Sequence, residues 1–142
     1  MTAVNVKKSL DMILSQRGMK ISMEEKRKYL RQDMTNLHGM CYEDSKVSGG
    51  TLSDIAARFD KLQEKITRYD RRILKSMSRL SGLEQKGETL IRKAKPGIWQ
   101  KVLYDHYING LPISEIAKKM HYTERRIRQI KAEGIKQISR SK

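Results

Sequence analysis

From Leu52 onward, apolar and aromatic residues recur at steps of three and four: Leu52, Ile55, Phe59, Leu62, Ile66, Tyr69 and Ile73. Strand alternation has a period of two and cannot produce this spacing. A helix places every third or fourth residue on one face, so the run dictates a helix with a narrow apolar stripe. The seven-residue period extends to Ser76 and Leu80, about four heptads in all. Ser76 is a weak seam residue, and Met77 beside it is a substitute. Neither Pro nor Gly interrupts 51–81, whereas Gly82 and Gly87 predict loosening before Lys95. Such a seam has two uses, self-association as a homodimer through 52–80 or packing inside the chain, and the pattern leaves both open.

The remaining segments also read as helices. Val6, Leu10, Ile13 and Leu14 share a face over 4–16, and Gly18 is expected to interrupt that helix. A second helix is expected from Ser22, with Glu25 completing a capping box and Met23, Leu30, Met34 and Leu37 as its stripe. It fades near Gly39 into the aperiodic stretch 39–50, which reads as a loop. Lys95-Pro96-Gly97 is the clearest boundary, because Pro disfavours helix before it and is tolerated in a first turn after it. The chain is therefore expected to be all-α, divided into 1–50 (N-terminal helices and linker), 51–95 (the heptad-patterned helix) and 96–142.

Charge narrows the partners. The 142 residues carry 31 Lys and Arg against 16 Asp and Glu, a formal net charge of +15. Basic residues outnumber acidic ones by nine to six in 1–50, twelve to six in 51–95 and ten to four in 96–142. Apolar residues interleave throughout, which argues against a disordered polycation. A balance of this kind speaks for a polyanionic partner, nucleic acid first and an anionic membrane surface second. The stripe of 52–73 has no Trp anchors and suits helix partners better than lipid, so no membrane partner is expected. No apolar run approaches the roughly 20 residues that span a bilayer. The first residues lack a signal-peptide core, and the single Cys41 excludes an intrachain disulfide, so a cytoplasmic location is expected. His38 and Cys41 supply two ligands where a tetrahedral metal site wants four. His106 reads as a surface position beside Asp105. With no phosphate-binding Gly loop, nucleophile elbow or paired-carboxylate motif, neither catalysis nor a cofactor is expected.

The last segment carries the function. Residues 98–108 form a helix with Trp99, Val102, Leu103 and Tyr107 inward, and Asn109-Gly110 ends it. A short helix follows, with Pro112 near its first turn and Ile116, Ala117 and Met120 facing in. The turn His121-Tyr122 is expected to use His121 in a left-handed conformation, with Tyr122 as a plug. Thr123 then caps a longer helix on which Ile127, Ile130 and Ile135 face the core. This is the pattern of a helix-turn-helix. Glu124, Arg125, Arg126, Arg128, Gln129 and Lys131 are left outward. Arg pairs bidentately with guanine and Gln with adenine, while Lys neutralises phosphate. Arg125, Arg126, Arg128 and Gln129 are therefore the expected base readers, and Thr123, Lys131, Lys118 and Lys119 the expected phosphate contacts on double-stranded DNA.

The run from Tyr104 to Ile138 resembles region 4 of bacterial sigma factors. It resembles more closely the small phage regulators of the RinA and ArpU late-operon type. The matching pieces are Tyr107-Ile108-Asn109-Gly110-Leu111, Glu115-Ile116-Ala117, Met120-His121-Tyr122-Thr123 and Arg126-Ile127. Pro112 departs from the pattern, where Ser or Thr is common, and so does His121, where Gly is common. The resemblance implies transcriptional regulation of phage or prophage genes, as activator or repressor, by binding DNA near a promoter, with RNA polymerase as a further partner. Competing readings are a sigma-like protein whose main contact is RNA polymerase and DNA-packaging proteins of the small-terminase kind. Those proteins carry their DNA-binding module first and assemble large rings.

Overall fold

The computed structural model describes residues 2–43 and 52–141. The side chains of His38 and Cys41, and most of the expected loop 39–50, lie outside the described residues. Among the described residues there are five α-helices: α1 (Ala3–Glu43), α2 (Leu52–Ile91), α3 (Ile98–Leu103), α4 (Ile113–Met120) and α5 (Glu124–Arg140). A π-helical turn, Tyr104–Ile108, extends α3. The fold is all-α, with no strand among the described residues.

α1 corrects the expected break at Gly18, since one helix runs through 41 residues and continues past Gly39 to Glu43. Between Leu14 and Met23, and again just beyond, cations continue the same face. Arg17, Lys20 and Arg27 are each partly buried and ion-paired, to Glu84, Glu24 and Asp70 respectively. Their aliphatic stems continue the stripe while their heads find carboxylates. The space around Gly18 is open, so its only cost is the intrinsic penalty of about 1 kcal/mol relative to Ala. α2 likewise passes Gly82 and Gly87 without loosening. A Cβ on the buried Gly87 would sit 2.5 Å from Ile13 Cδ1, so this glycine permits a close helix approach.

The chain forms two compact units, Met1–Arg17 with Ser78–Lys142, and Gly18–Met77. In the second unit the two helical segments run side by side. Ile66, Ile73 and Ser76 of the heptad seam are buried within the chain, together with Leu37. The guanidinium of Arg27 lies 2.9 Å from Asp70 Oδ1, and that of Arg31 lies 3.8 Å from it. Nearer the start of α2, Phe59 remains 37% exposed.

In the first unit, Val6, Leu10 and Ile13 pack with Leu80, Ile91 and Ala94 against Leu103, Tyr107, Ile135 and Ile138. The start of the chain thus roofs its end. After α2 the Gln100 amide donates to the carbonyls of Arg92 (3.2 Å) and Ala94 (2.9 Å), pairing groups that the helix end leaves open. Gly97 then takes a left-handed φ of 112° before α3. This helix break contains Pro96 and Gly97 and lies within the unit that includes Ser78–Lys142.

Candidate nucleic-acid interface

Everything at the interface is aimed by a small apolar layer. Val102, Ile116, Ala117, Ile127 and Ile130 form one buried cluster, with Trp99, Leu111, Ile113 and Met120 packed around it. Ile116 and Ile127 are fully buried, which fixes α4 and α5 against α3. Gly134 lets α5 cross α3 closely, since a Cβ there would meet Leu103 Cδ1 at 2.8 Å.

The turn has the predicted conformation at His121, with φ 60° and ψ 38°. The Tyr122 amide donates to the Ala117 carbonyl at 3.0 Å, closing the end of α4. Tyr122 does not plug the turn. Its ring is 46% exposed, because Ile116, Ile127 and Met120 already fill the space beneath. Thr123 is the cap of α5, its hydroxyl accepting from the Arg126 amide at 3.2 Å. Pro112, in place of a Ser or Thr, is extended and offers α4 no side-chain cap.

A second layer holds the approach to α4. Asp105 is buried and accepts from the Asn109 amide at 3.1 Å, while its backbone carbonyl accepts from Leu111 N at 3.0 Å. Lys119 Nζ sits 3.8 Å from the other Asp105 carboxylate oxygen. His106 is half-buried and not a surface position, and its Nδ1 lies 2.9 Å from the Leu111 carbonyl. Desolvation by burial pulls its pKa below the ordinary 6.5. From α1, Arg17 donates to the carbonyls of Tyr107 (3.0 Å) and Ile108, which locks the π-helical turn. Sequence reading missed Arg17, because a lone Arg ninety residues away carries no local signal.

The outward face of α5 gathers Arg125, Arg126, Arg128 and Gln129, all exposed, with Thr123 and Glu124 at its start. Two of these arginines have partners on their own helix. Arg128 lies 3.3 Å from Glu124, and Arg126 lies 3.7 Å from Glu133 and 3.4 Å from the Gln129 amide oxygen. Glu133 is itself held by the Trp99 indole N–H at 3.0 Å. Exposed pairs of this kind are worth about 0–1 kcal/mol, so they orient the guanidiniums without sequestering them. Lys118 and Lys119 are exposed in the last turn of α4.

Lys131 is placed differently from the expectation. It follows Ile127 and precedes Ile135 by four residues each, which puts it on the inner face. Its ammonium lies 5.7 Å from the Tyr107 ring centroid, and burial lowers its pKa despite the opposing Asp11. The Tyr107 hydroxyl beneath is buried without a hydrogen bond of good geometry, and desolvation followed by the Asp11 charge raises its pKa. Lys136, by contrast, is exposed eleven residues after Arg125, on the outward stripe. The helical period places both lysines, where a count of charges along the segment does not.

Residues 99–140 match the family model of sigma-70, region 4. No curated protein and no solved structure matches the chain. The sigma region 4 match spans α3 from its second residue, α4 and all of α5, so it covers the helix-turn-helix and its supporting helix together. It likens this segment to a DNA-binding helix-turn-helix class. No helix among the described residues is long and apolar enough to cross a membrane.

Proposed function

We propose that this protein is a sequence-specific transcriptional regulator, of phage or prophage genes, that reads the major groove with α5. One observation carries the reading. A face bearing Arg125, Arg126, Arg128 and Gln129 is held rigid by the fully buried Ile127 and the nearly fully buried Ile130 directly behind it. Reading bases requires side chains presented by an element that does not itself deform. Arg125, Arg126, Arg128 and Gln129 read base edges, and Glu124 aligns Arg128 and can accept from cytosine N4. Thr123, Lys118 and Lys119 contact phosphates, with Lys119 positioned by Asp105. The resemblance to late-operon regulators supports the phage role and an activator's contact with RNA polymerase.

Selection of bound duplexes from a random pool tests this directly. A defined operator is expected, and enrichment of no sequence overturns the proposal. With that operator, Arg125→Ala and Arg128→Ala are expected to cost about 1–3 kcal/mol each and to relax preference at particular base pairs. Lys118→Ala is expected to weaken operator and random DNA alike.

A further inference from the structure

The unit Gly18–Met77 carries a charge pattern that the helix-turn-helix does not use. On α2, Lys61, Lys65, Arg68, Arg72 and Lys75 follow one another at steps of four, three, four and three. This is one continuous stripe, offset by one residue from the seam Leu62, Ile66, Tyr69, Ile73 and Ser76. Because Ile66 and Ile73 are buried, the stripe is held at the surface, and all five cations are exposed. None of the five forms an ion pair among the described residues. Asp70 lies across the seam and is engaged by Arg27 and Arg31. Five charges extend over about 21 Å of helix. Like charges at helical i,i+4 spacing destabilise a helix by a few tenths of a kcal/mol per pair, so a polyanion laid along the stripe stabilises it.

α1 completes the surface. Lys26, Tyr29 and Leu30 face Lys65, Arg68, Tyr69 and Arg72 across an open groove of about 390 Å³ with no carboxylate in its lining. The Arg72 guanidinium lies 5.9 Å from the Tyr69 ring centroid, and Tyr29 is 65% exposed. Both tyrosines carry hydroxyls able to donate to phosphate oxygens. A lipid surface fits less well, because Ile66 and Ile73 beside the stripe are buried inside the chain and the apolar part of the groove is confined to Tyr29, Leu30 and Tyr69.

We infer that this groove and stripe are a second DNA contact, binding the phosphate backbone of duplex DNA without reading its sequence. The choice of duplex DNA among polyanions rests on the function proposed for α5. The test measures binding of the full chain to a random-sequence 30-base-pair duplex across a salt series. A single strand and poly-glutamate serve as the other arms. Lys65→Gln/Arg68→Gln/Arg72→Gln is expected to lower duplex affinity about tenfold and to reduce the slope of log K against log salt by about 2–3, near 0.9 per lost contact. Lys61→Gln and Lys75→Gln, at the ends of the stripe, are each expected to reduce it by about 0.9. Restoring charge with Lys65→Arg/Arg68→Lys/Arg72→Lys is expected to restore the slope. An unchanged duplex slope in the triple variant and both single variants overturns the inference, as does a loss confined to the single strand or to poly-glutamate. In parallel, Arg125→Gln/Gln129→Ala is expected to abolish preference for the selected operator. If that preference survives while the stripe variants lose slope, the reading of α5 falls and this contact stands.

Discussion

Gly82 and Gly87 lie on the same helix and have opposite requirements. Gly82 meets nothing within 4 Å of a built Cβ, whereas Gly87 faces the fully buried Ile13. Gly82→Ala is therefore expected to stabilise by about 1 kcal/mol through helix propensity. Gly87→Ala forces an overlap that outweighs the same gain, for a net loss of about 1 kcal/mol. Thermal unfolding should rank them on either side of the parent. His106 sets a pH dependence of definite sign. Its folded pKa is depressed by burial, so the unfolded chain binds the proton more readily. Its contribution is fully present above about 6.5 and is lost as pH falls through the lower folded value. The urea midpoint should drop between pH 8 and pH 5, and His106→Gln should flatten the drop. Lys131 faces Tyr107, so Lys131→Met is expected to leave DNA affinity within about twofold and the salt slope unchanged, in contrast to Lys118→Ala.

At the scale of elements, the helix-turn-helix was legible in the sequence because its determinants are local. Thr123 precedes a charged first turn, Ile127 and Ile130 sit one turn apart, and His121 is among the residues that tolerate a left-handed φ. What escaped was non-local or polar. The continuity of α1 depends on Glu84 and Asp70, which pair with Arg17 and Arg27 from distant positions. An apolar pattern cannot report a stripe completed by cations. Tyr122 looked like a plug because aromatic residues in turns often pack, yet the layer of Ile116 and Ile127 leaves it no room. The cationic stripe of α2 is present in the sequence, but it gains meaning only once the seam beside it is seen to be buried within the chain. The turn itself yields a test. His121→Gly removes the left-handed cost of a Cβ, about 1 kcal/mol, and should raise the melting temperature without altering operator preference.

At the scale of the molecule, α5 is supported by residues more than a hundred positions away. Ile135 and Ile138 belong to the same cluster as Val6, Leu10 and Ile13, and Leu103 and Tyr107 lie between them. A sequence boundary at Lys95-Pro96-Gly97 marks where the chain turns, not where packing ends. The helix-turn-helix layer of Val102, Ile116, Ala117, Ile127 and Ile130 is small by itself, and α3 and α5 each supply residues to both clusters. Stability of the outward face of α5 is accordingly expected to respond to the first helix. Leu10 is fully buried, and Leu10→Ala should cost about 2–5 kcal/mol, the range for truncating a large core side chain. Because Leu10 is fully buried and is none of the proposed DNA contacts, affinity measured on the folded fraction should be unchanged while the urea midpoint falls. Hydrogen exchange decides where the loss is felt. If amides near Ile130 and Ile135 in α5 lose protection together with those near Leu10, the two ends of the chain form one cooperative unit. If only the start of α1 loosens, the roof is dispensable and residues 96–142 hold their shape without it.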